Sequence, residues 1–288
     1  MKVWIDGQVV DGEAARVPVT DHGLLYGDGV FEGIRAFGRR VFRLDEHLAR
    51  LRVSAAAIGL EPPLDEAGFR DVVLATLRAL GRDDAYVRLV ITRGEGALGV
   101  DPTTCPRPRV VCIAAEAAIF PAETLAAGLD LVTVSWRRPG FDVIDPRVKS
   151  LNYLNNALAK LEARRRGADE ALLLNAAGTI AEASVANLFV LHGRTLATPP
   201  PTDGCLEGIT RRTVLELAPG LGLTAGERSL SRTDLLGADE VFLTGTGAGI
   251  VPVRALDGQA IGAGPLFAVT DRLREGYRER TKVLGVPF

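Results

Sequence analysis

Lysine is scarce in this chain: of its 34 basic residues only four are lysines, Lys2, Lys149, Lys160 and Lys282, so a mid-chain lysine stands out. Cysteine is scarcer still. Cys105, Cys112 and Cys205 are odd in number and form no CxxC, which argues against a disulfide framework and a zinc site and leaves them as small apolar residues. The three histidines, His22, His47 and His192, form no HExxH, and no serine sits in a GxSxG elbow, so most metal and Ser-His hydrolase chemistry is excluded and no metal is expected. Positive charge is not in excess either. Lys and Arg total 34 against 36 Asp and Glu, a formal charge of −2, and without a basic field neither nucleic acid nor a membrane surface is the expected partner. A small molecule is. No apolar run approaches the roughly 18 to 20 residues of a membrane helix, and the opening MKVWIDG lacks the charged flank and hydrophobic stretch of a secretion signal. The cytoplasm is the expected compartment.

What is present suits a large packed core. With 288 residues, 47% hydrophobic and 24% charged, the chain can form one or two domains. Short apolar runs at 3–5, 8–10 and 30–36 are separated by Asp6-Gly7, Asp11-Gly12 and Gly27-Asp28-Gly29, which predicts strands joined by tight turns. Leu48, Leu51, Ala55 and Ile58 recur at helical spacing up to Gly59, and a second helix is expected from an Asp65 cap to Gly81. Strands follow at 86–92 and 109–114. Between them the glycine-rich tract 93–99 reads as a loop that approaches something closely. This half is a two-layer α+β unit. Residues 117–128 hold the boundary, giving domains at 1–120 and 129–288 joined by 121–128. The second begins with a strand at 129–135. Leu151, Leu154, Leu158 and Leu161 then mark a helix closed by Gly167, followed by strands near 170–174, 179–182, 187–191 and 194–198. A helix starts at Gly208-Ile209-Thr210, strands at 240–244 and 250–255 flank a turn at 245–249, and a last helix covers about 265–282.

Lys149 lies in Asp145-Pro146-Arg147-Val148-Lys149-Ser150-Leu151-Asn152-Tyr153, just after a strand and at the mouth of a helix, where a side chain can project into a cleft. At its free pKa of about 10.4 the amine is protonated, so an imine-forming lysine needs burial or a neighbouring cation, for which Arg147 is the nearby candidate. Taken alone, Lys149 reads as a surface residue. Three further features change that, because together they would hold a phosphorylated aromatic aldehyde. Gly208-Ile209-Thr210 offers unpaired N–H groups, a hydroxyl and the positive end of a helix dipole, suited to phosphate, although alone it is also a plain helix cap. Gly245-Thr246-Gly247 supplies a second such turn. It is not a dinucleotide fingerprint, since GxGxxG fails at Ile250 and Pro252 follows where a helix is required. Glu182, after an apolar strand and among small residues, is a partly buried carboxylate that wants a cationic partner, and a pyridinium nitrogen would serve.

Three long segments carry a resemblance that spans nearly the whole chain: residues 22–35 (HGLLYGDGVFEGIR), residues 42–51 (FRLDEHLARL), and Lys149 to Lys160 with Asn152-Tyr153. The sequence resembles the fold-type IV pyridoxal-phosphate enzymes, and among them the branched-chain amino acid aminotransferases. That resemblance implies a two-domain α/β (α+β) fold, a small N-terminal α+β domain and a larger C-terminal domain, with pyridoxal 5′-phosphate between them. It implies Lys149 as the lysine that condenses with the cofactor and shuttles the proton. Arg50, Ile209, Thr210 and Thr246 would bind the phosphate, Glu182 would pair with the ring nitrogen, Tyr153 with the phenolic oxygen, and Leu206 would pack on the ring face.

By the same likeness Tyr26, Tyr86 and Arg88 organise the substrate carboxylate, Phe31, Gly33 and Arg35 line the pocket, and Thr246 and Gly247 close it. Alternation along 86–92 puts Tyr86 and Arg88 on one face, although a sheet-edge salt bridge is a second reading of Arg88. The tract 93–99 resembles the GxGxLG loop of the branched-chain enzymes. It lacks both the Arg-x-His trap of D-amino acid aminotransferases and the arginine that aminodeoxychorismate lyases carry where Leu98 stands. Two departures, residues 183–187 (ASVAN) and the glycines at 247 and 249, loosen the carboxylate end. The implied activity is transamination between branched-chain L-amino acids and 2-oxoglutarate in a homodimer or larger homo-oligomer, with amino acids and 2-oxo acids as partners. An aminodeoxychorismate lyase or a D-amino acid aminotransferase is the alternative.

Overall fold

A computed structural model describes residues 1–117, 120–263 and 266–288. The chain opens with β1 (Lys2–Ile5), β2 (Gln8–Asp11), a short α1 (His22–Tyr26), β3 (Gly29–Phe37) and β4 (Arg40–Phe42). Two helices follow, α2 (Leu44–Ala57) and α3 (Glu66–Leu80), then β5 (Ala85–Thr92) and β6 (Arg109–Glu116). The bounds of α3 follow from local chemistry. Asp65 accepts the Gly68 N–H at its start, and Gly81 takes the left-handed conformation at its end, where its N–H reaches the Leu77 carbonyl. The buried face of α3, with Phe69, Val73 and Leu77, packs with Leu48 and Leu51 of α2 on Val30, Ile34, Val87 and Leu89.

The chain continues through α4 (Ala122–Ala127), β7 (Leu129–Arg137), α5 (Leu154–Arg165), β8 (Glu170–Leu174), β9 (Ile180–Ala183), β10 (Asn187–His192) and β11 (Thr195–Thr198). After α6 (Ile209–Leu217) come β12 (Thr224–Glu227), α7 (Arg232–Leu236), β13 (Glu240–Gly245), β14 (Gly249–Leu256) and β15 (Gln259–Ala260). The chain closes with α8 (Ala268–Val283) and β16 (Gly285–Pro287). The expected start of the last helix at 265 lies outside the described residues. From Ala268 onward the helix is capped by buried Glu240, whose two oxygens accept the N–H groups of Val269 and Thr270 at 2.8 Å each.

Among the described residues the strands form two sheets, ordered β16-β4-β3-β5-β6-β1-β2 and β12-β11-β10-β13-β14-β7-β8-β9, with β15 beside β14. The first is antiparallel throughout. The second is mixed, with β14/β7, β7/β8 and β11/β12 parallel. Two compact units result: Met1–Ala118, Val148–Asn152 and Thr281–Phe288 form one, Ile119–Arg147 and Tyr153–Arg280 the other. The stretches expected as domains, 1–120 and 129–288, are continuous, whereas these units are not. The reason is strand pairing: β16 lies along β4, and Val148–Asn152 lies along β3, where Phe31 N–H donates to the Lys149 carbonyl and Leu151 N–H to the Gly29 carbonyl, both at 2.9 Å. No helix among the described residues is long and apolar enough to cross a membrane.

Candidate active site

The pairing with β3 corrects the expected setting of Lys149. It stands neither just after a strand nor at the mouth of a helix, since β7 ends at Arg137 and α5 begins at Leu154. Its backbone is instead held on both sides: the N–H donates to Ser54 Oγ of α2 at 3.1 Å, the carbonyl accepts from Phe31, and Ser150 forms a bridge with Val30. Lys149 Nζ lies 4.6 Å from the centroid of the Phe31 ring, and the Arg88 guanidinium lies 4.2 Å from the same ring. An aromatic face attracts both cations. Arg147, the expected neighbouring cation, instead grips Asp145 through Nε and Nη2 and lies over Phe141.

Register places the rest of the expected substrate residues of this unit. Gly33 is opposite Arg88 and Arg35 opposite Tyr86, so Phe31, Gly33, Arg35, Tyr86 and Arg88 share one face of the β3/β5 pair. Arg35 lies over Phe37. Tyr26 turns to the loop 93–99, its hydroxyl accepting from Gly99 N–H at 2.8 Å and its ring meeting His22 edge-on. What that loop approaches is its own chain: a Cβ on Gly96 would lie 2.5 Å from Cys105 Sγ and 2.7 Å from His22 Nε2. Glycine is required there by packing.

The opposite face of β3 carries Glu32, which, like His47 of α2, has no role in the expected site, and which meets the expected phosphate ligand Arg50. Glu32 Oε1 accepts from Arg50 Nε at 2.7 Å, Oε2 accepts from Arg50 Nη2 at 2.8 Å, and His47 Nδ1 lies 2.7 Å from Oε2. Burial alone would push the Glu32 carboxyl up, but the charge and hydrogen bonds of Arg50, with those of His47, outweigh it and hold it at about 2. Burial also pushes His47 below its ordinary range, against the pull of Glu32 and with the help of Arg50 and Lys149. His47 is therefore neutral at pH 7, and its Nδ1 carries the proton that Glu32 accepts. The clue lay in the alternation: Glu32 is in phase with Val30, Ile34 and Ala36, a carboxylate in an inward-facing row.

In the second unit Glu182 has a partner within the chain. Arg138 Nη2 lies 2.7 Å from Glu182 Oε1, and both residues are buried. Arg138 is itself fixed by the Gly204 carbonyl at 3.1 Å and Asn156 Oδ1 at 3.2 Å. Glu182 Oε2 accepts from Leu206 N–H at 3.1 Å and Asn187 Nδ2 at 3.3 Å, and Asn187 Nδ2 also reaches the Leu206 carbonyl at 2.7 Å. One buried carboxylate thus locks the Leu206 peptide two residues before the Gly208 cap of α6. A Cβ on Gly208 would collide with Asn187 Oδ1, so only glycine lets the helix begin there.

The first turn of α6, Ile209-Thr210, is buried, and its cap supplies no side-chain hydrogen bond. Its N–H groups find no acceptor within the helix. Opposite Asn187 in register stands Thr244, 1% exposed, whose Oγ1 is buried without a hydrogen-bond partner among the described residues. Thr246 and Gly247 lie in the turn between β13 and β14, and Tyr153 caps α5. Helix-start amides, an orphaned hydroxyl and a buried carboxylate paired with an arginine form a donor and acceptor set that fits a phosphate-bearing, protonated heteroaromatic ring. Arg138, Asn187 and Thr244 were not legible as site residues from spacing alone.

Comparisons with known proteins agree with this chemistry. The amino-transferase class IV family matches residues 29–256. A Methanocaldococcus jannaschii protein provisionally named a branched-chain-amino-acid aminotransferase is 46% identical over 283 residues, which span 98% of this chain and 97% of that protein. The T.th. branched-chain amino acid aminotransferase with pyridoxamine 5′-phosphate superposes with a TM-score of 0.93 at 38% identity, covering 97% of this chain and 93% of that one. The Escherichia coli branched-chain amino acid aminotransferase gives a TM-score of 0.93 at 35% identity, covering 99% and 94%.

Proposed function

This chain belongs to the class IV amino-transferase family, and on that footing we propose that it moves an amino group between branched-chain L-amino acids and 2-oxoglutarate with pyridoxal 5′-phosphate as cofactor. The observation that carries this reading is the setting of Lys149, whose backbone is clamped between β3 and α2 while its amine lies over Phe31 beside Arg88. When bound, pyridoxal 5′-phosphate supplies the electron sink that lets a substrate Cα–H bond break. Lys149 Nζ would hold the cofactor's aldehyde end and, as a free amine, would take up the substrate Cα proton. Glu182, which Arg138 pairs at 2.7 Å, would accept a hydrogen bond from the protonated ring nitrogen. Tyr153 serves the phenolic oxygen and Leu206 the ring face. Arg50, Ile209, Thr210 and Thr246 hold the phosphate. Tyr26, Phe31, Gly33, Arg35, Tyr86 and Arg88, with Thr246 and Gly247, receive the substrate.

A homodimer is part of the same proposal. It is supported by an apolar surface formed by Leu24, Leu25 and Tyr26 with Leu98 and Val100, the last two 81% and 80% exposed. Three free cysteines favour the cytoplasm as its compartment.

Borohydride reduction should fix the yellow chromophore to the peptide containing Lys149, and attachment at Lys160 would overturn the site. Half-reactions with L-leucine, L-glutamate, D-alanine and D-glutamate then read the substrate. Loss of the cofactor absorbance with the two L-amino acids is expected, and a response to the D-forms alone would replace this reading with the D-selective one.

A further inference from the structure

Along the inward row of β3, Val30, Ile34 and Ala36 are wholly buried against the helices, and Glu32 between them is equally buried. A buried ion pair is at best a marginal source of stability, and an apolar side chain at this position would avoid its desolvation cost altogether. What such a pair does control is direction. Glu32 takes Arg50 at Nε and Nη2, and a planar guanidinium held at two nitrogens has its third aimed as well. His47 sits one turn before Arg50 on α2, so both donors come from one helix face and meet the same carboxylate. Of the three side chains only that of Arg50 reaches outward, 13% exposed against 1% for His47 and 0% for Glu32. The charged layer ends at the arginine head.

We infer that Glu32, buttressed by His47, is a positioning residue that pre-sets the Arg50 guanidinium for a phosphate group. This rests on the reading of Arg50 as a ligand of the cofactor phosphate. A long, flexible side chain loses rotamer freedom when it captures an anion, and Glu32 removes that freedom beforehand. His47 completes the arrangement as a neutral donor: it ties down Oε2 without taking a share of the carboxylate's charge from Arg50.

The experiment compares the full chain, resolved from cofactor, in four forms: unaltered, Glu32→Gln, Arg50→Gln and the double variant. Dissociation constants are measured spectroscopically for pyridoxal 5′-phosphate and for pyridoxal, which lacks the phosphate. Glu32→Gln should weaken the preference for the phosphorylated form roughly ten- to a hundredfold and leave pyridoxal binding unchanged. The double variant should be no worse than Arg50→Gln, because Glu32 acts through Arg50. Equal loss of both ligands, or an unchanged preference while Arg50→Gln lowers it, would overturn the inference alone. An unchanged preference in Arg50→Gln would instead remove Arg50 from the phosphate site and take the inference with it. Should Glu32→Gln fail to fold, His47→Leu must lower the preference and His47→Asn, which keeps a donor at the Nδ1 position, must restore it. If His47→Leu leaves it unaltered, the inference falls.

Discussion

Glu32 on β3 and Glu182 on β9 are both buried, both carry an arginine, and use it in opposite ways. Glu32 gives both oxygens to one guanidinium, so the pair is spent on holding Arg50. Glu182 meets Arg138 at Oε1 and accepts at Oε2 from the neutral N–H groups of Leu206 and Asn187. In the first unit the carboxylate serves the arginine. In the second the arginine serves the carboxylate, supplying a cation in a buried setting where an isolated charge would not persist.

The largest effect that separates the two is expected from Arg138→Met. Stripped of its guanidinium, Glu182 becomes an uncompensated buried charge, at a cost of about 3–5 kcal/mol in urea unfolding. Adding Glu182→Gln should recover most of that loss, and a double variant no more stable than the single one would show that Arg138 acts mainly through Gly204 and Asn156. Next in size is acid lability. The folded-state pKa of Glu32 lies below its ordinary 4.5, at about 2, so its contribution is present above pH 4.5 and is lost as pH falls toward 2. A loss on the order of 3 kcal/mol over that window is expected, flattened in Glu32→Gln. His47, lowered in the fold, adds a milder decline that begins below 6.5. Stability that stays level from pH 6.5 to 3 would contradict this buried cluster. Smallest in energy is Glu182→Gln, which should cut turnover by about 10², near 2.7 kcal/mol, while leaving cofactor affinity largely intact. That is the mirror image of Glu32→Gln, for which binding of the phosphate is the affected quantity.

Much of the architecture could be read beforehand where its causes are local. The Asp65 and Gly81 caps of α3, the alternation of β3 and β5, and the Gly208 start of α6 each depend on a few adjacent residues. The scarcity of lysine singled out Lys149 before any coordinate was known. Its surroundings were another matter, because an irregular stretch between β7 and α5 has no period to read, and it settles on β3 through hydrogen bonds to Gly29 and Phe31 far away in the chain. The segment β16 is similar: three residues at the end of the chain are strand only because β4 is there to pair with them.

By itself, then, the order of residues determined the elements and turns whose causes are local, the one lysine worth watching and the family whose long motifs it carries. Only the tertiary structure decided which charges meet. Glu32 chose Arg50 and His47, and Glu182 chose Arg138, because in a low-dielectric interior a carboxylate is tolerated only beside a donor or cation that packing delivers to within hydrogen-bond distance. That delivery depends on how helices and strands stack, which no short window of sequence contains.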